Sequence, residues 1–173
     1  MSHIEVLGPI TQEMSSVATL PMWAVVTPLI GAFLAGIFGK SERLRNTIVV
    51  TATAITMGIV LAMYKPVING IHIGEHFYKG IEFTLKGILA AGFKVDPVSL
   101  LIAIITSFLW LISSIYAVSY MSHEHARTRY AIFSLLTLSV DLGVLLAKDW
   151  FSLFVFFEML GIFSTMLVLH EET

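Results

Sequence analysis

Long apolar runs separated by short polar connections dominate the pattern of hydrophobic and polar positions along the chain. A helix needs about 20 mostly apolar residues to cross the hydrocarbon core of a bilayer. Five windows come close to that length, at about 20–38, 47–64, 97–121, 130–147 and 150–169. The pattern therefore predicts an all-α integral membrane protein, with residues 1–173 forming a single bundle of about five transmembrane helices.

The segment 65–96, between the second and third windows, has a different texture. It carries five glycines and scattered Lys and Glu. Within it Ile81–Lys86 alternates apolar and polar residues, which is the period of a half-buried strand, and Gly92–Asp96 alternates too. We predict a short external β-hairpin here. Asp96 followed by Pro97 indicates the N-cap and first turn of the third helix.

Composition supports the membrane assignment and excludes several functions. Apolar residues make up 57% of the chain and charged residues 13%, against about 45–50% and about 25% in soluble domains. The net charge of −2 provides no basic field for nucleic acid. Because there is no cysteine, disulfides, thiol catalysis and cysteine-held zinc or iron–sulfur clusters are excluded within this chain. No cofactor motif appears, so we expect no cofactor, no metal and no redox chemistry of its own.

Basic residues predict the orientation. All four arginines lie in the two connections 40–45 and 122–129, which fall on the same side of the predicted bundle. Cytoplasmic loops are enriched in Lys and Arg. We therefore predict a multi-pass protein of a prokaryotic cell membrane with its N-terminus outside and its C-terminus in the cytoplasm. The four lysines of segment 65–96 oppose this orientation, but they lie in a longer segment, where the bias is less decisive.

Glu158 is the clearest candidate for chemistry. It lies eight residues into the fifth window, or about 12 Å along the helix at 1.5 Å per residue. An ionisable group inside a span costs at least about 2.5–3.5 kcal/mol, and is retained mostly where it faces a partner, a bundle interior or a water cavity. Gly161 and Thr165 share its helix face. This placement favours a proton-handling group over a carboxylate locked in a permanent ion pair.

Asp141 is the second candidate. It lies seven residues before Lys148, about 10 Å from the end of the fourth window. A tight connection at Lys148 and Asp149 makes the fourth and fifth helices antiparallel neighbours, which places Asp141 and Glu158 at similar depth. The two acids then form a carboxyl pair that shares a proton, or bracket one hydrated pocket. The alternative is that Asp141, as a protonated acid, hydrogen-bonds a neighbouring helix.

Histidines and small residues carry weaker signals. His123 and His125 lie in a basic connection with too few neighbouring ligands for a metal site, so we interpret them as surface residues, with proton uptake from the cytoplasm as the alternative. Small residues recur at four-residue spacing in two stripes, which indicates close helix packing. These stripes are Gly31, Ala35 and Gly39 in the first window, and Ala54, Gly58 and Ala62 in the second.

Three motifs carry a resemblance to a known family. The run from Lys148 to Leu160, KDWFSLFVFFEML, resembles the fifth helix of the antiporter-like subunits. These subunits occur in multi-subunit sodium/proton antiporters, membrane-bound hydrogenases, sulfur reductases and respiratory NADH dehydrogenase. The runs Val95–Leu101 (VDPVSLL) and Tyr116–Met121 (YAVSYM) are similar to the start and end of the family's third helix. The resemblance covers about residues 95–172.

The resemblance implies a proton- or sodium-translocating subunit of a larger membrane complex. In the family the fifth-helix glutamate pairs with a lysine on the seventh helix, and further lysines complete a hydrated proton path. Only Glu158 carries over as a site residue. Because the sequence stops just after the fifth helix, we expect a piece of a split subunit or a truncated relic, with a partner subunit supplying a lysine near Glu158. The alternative function is a structural subunit that holds neighbouring membrane subunits together without transporting ions.

Overall fold

The described part of the chain contains five helices long and apolar enough to span a membrane, as predicted. The structure is a computed structural model that describes residues 18–69, 71–73, 76–78, 81–84, 92–120 and 127–169. Its long helices are α1 (Leu20–Ile37), α2 (Glu42–Ala62), α4 (Pro97–Tyr120), α5 (Arg127–Leu145) and α6 (Trp150–Val168), with a short α3 (Tyr64–Asn69) after α2. Between α3 and α4 lie β1 (Ile71–Ile73), β2 (His76–Tyr78), β3 (Ile81–Thr84) and β4 (Gly92–Val95).

Helix α1 lies at the centre of the packing, against α2 on one side and α5 on the other. Helix α4 packs on α2, and α6 packs on α5. The first small-residue stripe makes this close approach feasible, because a Cβ placed on Gly31 would come within 2.6 Å of the Ala52 Cβ, and one on Gly39 would meet Thr128. The second stripe differs, because Ala54, Gly58 and Ala62 are exposed. The prediction of close helix packing thus holds for the first stripe within the described bundle.

The core has two parts with different side chains. Small residues, among them Ala32, Ala35 and Ala52, fill the part near the α1–α2 turn. Larger side chains fill the part near the strands, where Met63, Leu142 and Phe93 are buried. Helices α1, α2 and α5 contribute to both parts, and β4 and α4 add Phe93 and Leu100 to the second.

The predicted hairpin is present, because β3 pairs with β4 in antiparallel register, with Ile81 opposite Val95. A second antiparallel pair, β1 with β2, was not predicted. Its sequence signal is the Gly74-Glu75 dipeptide between two short alternating runs, which is typical of a two-residue hairpin loop. Asp96 caps α4 as predicted, since its Oδ1 accepts the backbone N–H groups of Val98 and Ser99 at 2.9 and 2.8 Å.

Two helices begin earlier than their apolar windows. Helix α2 begins at Glu42 rather than near Thr47, and α5 begins at Arg127 rather than near Tyr130. The polar first turns are held by an ion pair between Arg127 and Glu42, with 2.9 Å between nitrogen and oxygen. Apolar pattern marks only the part of a helix within hydrocarbon, so it misses first turns that lie at the interface.

Candidate ion-translocation site

One face of α6 packs against α5 and β4, and this contact sets the rotation of the helix about its axis. The Phe156 ring lies against Gly143 of α5, where an added Cβ would collide with it, and against the Phe93 ring, with 5.8 Å between centroids. Ser152, one turn earlier on the same face, is 2% exposed. These residues define the face of α6 that contacts the rest of the bundle.

Glu158 lies on the opposite face of α6. It is the ninth of 19 residues in the helix, and two residues after Phe156 correspond to about 200° around a helix of 3.6 residues per turn. Its side chain is exposed. It makes no hydrogen bond or ion pair with any residue that the structure describes. The carboxyl group therefore stands near the middle of α6, on a face that nothing in the described bundle covers.

The surroundings of Glu158 on that face are apolar or internally satisfied. Phe154 and Ile162 are 62% and 56% exposed. Gly161 has open space around it. The Thr165 hydroxyl donates to the Gly161 carbonyl at 2.7 Å. This face thus presents one carboxyl group in a wide apolar surface, with a gap at Gly161 where another backbone can approach.

Asp141 occupies a different environment on α5. It is half-buried and lies on the same helix face as Ser134 and Thr137, both of which are buried. Thr137 donates to the Phe133 carbonyl, and the Ser134 carbonyl accepts the Trp110 indole N–H at 3.2 Å. These polar groups are thus satisfied within α4 and α5, whereas Asp141 has no hydrogen bond to any part of the chain described here.

The two acids do not face one another. Asp141 precedes Gly143 by two residues, and Glu158 follows Phe156 by two residues, so each lies about 200° from the contact where α5 meets α6. The expected antiparallel contact between these helices is present. Both acids thus lie away from the contact at Gly143, and the shared proton or shared pocket stays a prediction.

A polar junction at the start of α6 was missed by the sequence analysis. The Asp149 carboxylate accepts the Ser152 backbone N–H at 2.8 Å and the Ser152 hydroxyl at 3.0 Å. The same Ser152 oxygen accepts the Gly92 N–H at 3.0 Å. Backbone pairs from Lys94 to Leu146 and from Lys148 to Gly92 complete the junction, both at 2.8 Å. Its signal in the sequence is an aspartate three residues before a serine at a helix start.

Asp149 precedes α6, and its hydrogen bonds within the junction shift its pKa. The Ser152 backbone N–H is the main cause that lowers the pKa of Asp149, and the Ser152 hydroxyl and the Gly92 N–H add to it. The carboxylate form is therefore the one that holds β4 to the first turn of α6.

Arg45 is a second residue whose environment differs from the sequence prediction, because it lies in α2. Counted there as a residue of the basic connection, it is 6% exposed inside the bundle. Its guanidinium donates to the Gly39 carbonyl at 3.2 Å and to the Thr128 hydroxyl at 3.5 Å. Thr128 donates to the same carbonyl at 3.1 Å. Arg45 thus closes the C-terminal end of α1, where a cation is favoured.

The remaining candidate groups are metal ligands and the two histidines of the connection before α5. Among the described residues no group of three or more His, Cys, Asp or Glu side chains could hold a metal ion. His123 and His125 lie outside the described residues.

Comparisons with known proteins agree with this architecture. A family model for the N-terminus of chain 5 of NADH-ubiquinone oxidoreductase (complex I) matches residues 88–131. Chain 5 of NADH-ubiquinone oxidoreductase from Neurospora crassa is 29% identical over 149 residues, 83% of this chain and 20% of that protein. F(420)H(2) dehydrogenase subunit L of Methanosarcina mazei is 35% identical over 74 residues, 43% of this chain and 11% of that protein.

A solved structure shares the fold. A chain of the membrane-bound sulfane sulfur reductase, an archaeal respiratory membrane complex, superposes with a TM-score of 0.70 at 25% identity, over 84% of this chain and 22% of that one. The chain is thus similar in sequence to chain 5 of NADH-ubiquinone oxidoreductase and in fold to a chain of the sulfane sulfur reductase complex. The resemblance inferred from the motifs is therefore confirmed.

The matches have limits that bear on the site. The chain spans less than a quarter of the length of each relative named above. The family model covers Asp96 and the whole of α4 but ends before Asp141 and Glu158. The family model therefore assigns no role to either acid.

Proposed function

We propose that this chain is the N-terminal, five-helix part of an antiporter-like subunit that moves protons or sodium ions within a larger membrane complex. The observation that carries the proposal is the exposed carboxyl group of Glu158 near the middle of α6, which has no partner among the residues that the structure describes. The relatives support it, because they are named as subunits of respiratory oxidoreductases and of a respiratory membrane complex.

Energetics require that the Glu158 face be covered in the assembled complex. A charged carboxylate in lipid costs at least about 2.5–3.5 kcal/mol, and partners or water cavities relieve that cost. We propose that a lysine from another segment or subunit pairs with Glu158, as the family resemblance implies. The open space at Gly161, one turn away, would let the helix that carries this lysine approach closely. Alternate charging and release of the pair would couple to ion movement along a hydrated path.

Asp141 has a separate part in the proposal. It is half-buried and lies on the same face of α5 as Ser134, whose carbonyl accepts the Trp110 indole N–H two turns earlier. We propose that it serves a second proton-binding position within the same subunit, and that His123 and His125 remain candidates for proton uptake from the cytoplasm. The proposed location is a prokaryotic cell membrane, with the α1–α2 turn in the cytoplasm.

The second candidate function is a scaffold that binds neighbouring membrane subunits without moving ions. The exposed face around Glu158 favours it as well, because an apolar surface with a small-residue gap is also a helix-docking surface. The two functions differ in what they require of Glu158. Transport needs a group that titrates, whereas a scaffold needs only a group that fits.

Glu158→Gln separates them because it preserves size and hydrogen bonding but removes the titration. Transport predicts an assembled complex whose proton or sodium uptake falls to roughly a tenth or less, the loss typical of a missing proton-transfer group. Glu158→Asp should be milder, since its charge survives. Uptake is measured in vesicles that contain the assembled complex, at equal subunit content.

Glu42→Gln is the matched control, because Glu42 is an acid at the end of a span that pairs with Arg127. It should leave uptake near the wild-type rate. Wild-type uptake by Glu158→Gln would refute the transport role and leave the scaffold function standing.

A further inference from the structure

An open apolar groove runs between α1 and α5 on the surface of the bundle. It extends from Leu29 to Ile37 along α1 and from Ile132 to Leu136 along α5, with a volume of about 570 Å³. Every side chain that lines it is apolar. The groove exists because α1 carries Ala32 and Gly36 where the neighbouring positions carry large side chains, among them Phe33, which is 70% exposed.

The length of the groove decides what kind of molecule fits it. Leu29 and Ile37 are eight residues apart, or about 12 Å at 1.5 Å per residue. The hydrocarbon core is about 30 Å thick, so the groove spans a little less than one leaflet. A transmembrane helix would need a track across both leaflets. An acyl chain of one leaflet needs only this length.

Two basic residues lie near one end of the groove in the chain. Lys40 lies in the turn that follows α1, three residues after Ile37, and Arg129 precedes Ile132 by three residues on the same face of α5. Both side chains are exposed.

These features together define a lipid site. We propose that an anionic phospholipid binds between α1 and α5, with an acyl chain in the groove and its phosphate at Lys40 and Arg129. Basic pockets between transmembrane helices bind anionic headgroups, and each basic side chain near such a headgroup favours it by about fivefold. The apolar half of the site holds the chain at a fixed depth, and the basic half selects the headgroup. The proposal does not depend on ion translocation by this chain.

Photo-crosslinking in the assembled complex, in its native membrane, tests the site. A p-benzoyl-phenylalanine in place of Phe33 places the reactive group in the groove, and mass spectrometry identifies what it captures. We expect lipid adducts whose anionic-to-neutral ratio exceeds that of the bulk membrane by about fivefold or more. The double variant Lys40→Gln/Arg129→Gln should return the ratio to the bulk value, whereas Lys65→Gln/Lys94→Gln, with two exposed lysines outside the groove, should not change it.

Two further variants test whether the adducts come from the groove itself. Gly36→Leu should abolish the adducts by filling the groove, since a Cβ at Gly36 meets the Ile132 Cδ1 at an ordinary 3.5 Å. The same reactive group at Tyr116, four residues from the end of α4 and 66% exposed, reports lipid at comparable depth on another surface. Adducts to a protein segment, a bulk lipid ratio at Phe33, or equal enrichment at Tyr116 would each overturn the proposal.

Discussion

Replacing Ser152 with alanine should loosen the junction that holds β4 against the start of α6. Ser152 is 2% exposed, and its hydroxyl accepts the buried Gly92 N–H while donating to Asp149. Removing the hydroxyl leaves that N–H without its acceptor, and an unsatisfied buried donor costs about 1–3 kcal/mol. The carboxylate of Asp149 lies near enough to the same N–H to take over in part, so we expect a value toward the lower end.

Hydrogen exchange measures this loss directly. At about 1.4 kcal/mol per factor of ten, the amides of β4 should exchange roughly 5- to 150-fold faster in Ser152→Ala, within the assembled complex. Amides in the centre of α1 should keep their wild-type rates, because they lie outside the junction. Ser164→Ala is the matched control, since this half-buried hydroxyl on α6 donates only to the Gly161 carbonyl, at 3.2 Å. Unchanged exchange in β4 would refute the assignment of the junction as a stabilising link.

The same junction should depend on pH with a defined sign. Hydrogen bonds from Ser152 lower the pKa of Asp149, so its stabilising effect is present above the unfolded pKa of about 3.9 and is lost as the pH falls through the lower folded pKa. Asp149→Asn should therefore be less stable than wild type near pH 6, and the difference in melting temperature should shrink toward about pH 3. A constant difference across that range would contradict the assignment.

Three other expectations concern packing, topology and assembly. Gly31→Ala should lower the free energy of unfolding by about 1–3 kcal/mol, because the new Cβ would lie 2.6 Å from the Cβ of Ala52. Gly58→Ala is the control, since a Cβ there has nothing within 4 Å, and its melting temperature should be unchanged or higher. Single cysteines at Ser41 and Thr84 should be labelled from opposite sides of sealed vesicles, and labelling from one side would refute the topology. The chain expressed alone should aggregate or be degraded, as followed by immunoblotting, and co-expression with its partner subunits should rescue it; a well-behaved detergent-solubilised monomer would count against the proposed complex.

Periodicity and composition determined the local structure of this protein. The five spans follow from long apolar runs, because every backbone polar group in hydrocarbon must be satisfied within a helix. The β3–β4 hairpin follows from two-residue alternation, and the α4 start from Asp96 before Pro97. The depth of Glu158 was also readable, since it depends only on the rise per residue. These features depend on local geometry, which sequence spacing fixes directly.

Only the tertiary structure decided which faces meet. Gly31 and Gly58 belong to stripes with the same spacing, yet only Gly31 lies against another helix, because packing depends on which neighbour arrives rather than on the stripe itself. The sequence predicted similar depths for Asp141 and Glu158, but not their directions. The contact of Phe156 with Gly143 shows that each acid lies away from the α5–α6 contact. Arg45 was expected in a connection, but it lies in α2 and its guanidinium binds the Gly39 carbonyl after the end of α1, which the sequence pattern does not show. A linear pattern records the period of a helix but not its rotation relative to neighbours, which is set by side chains distant in sequence.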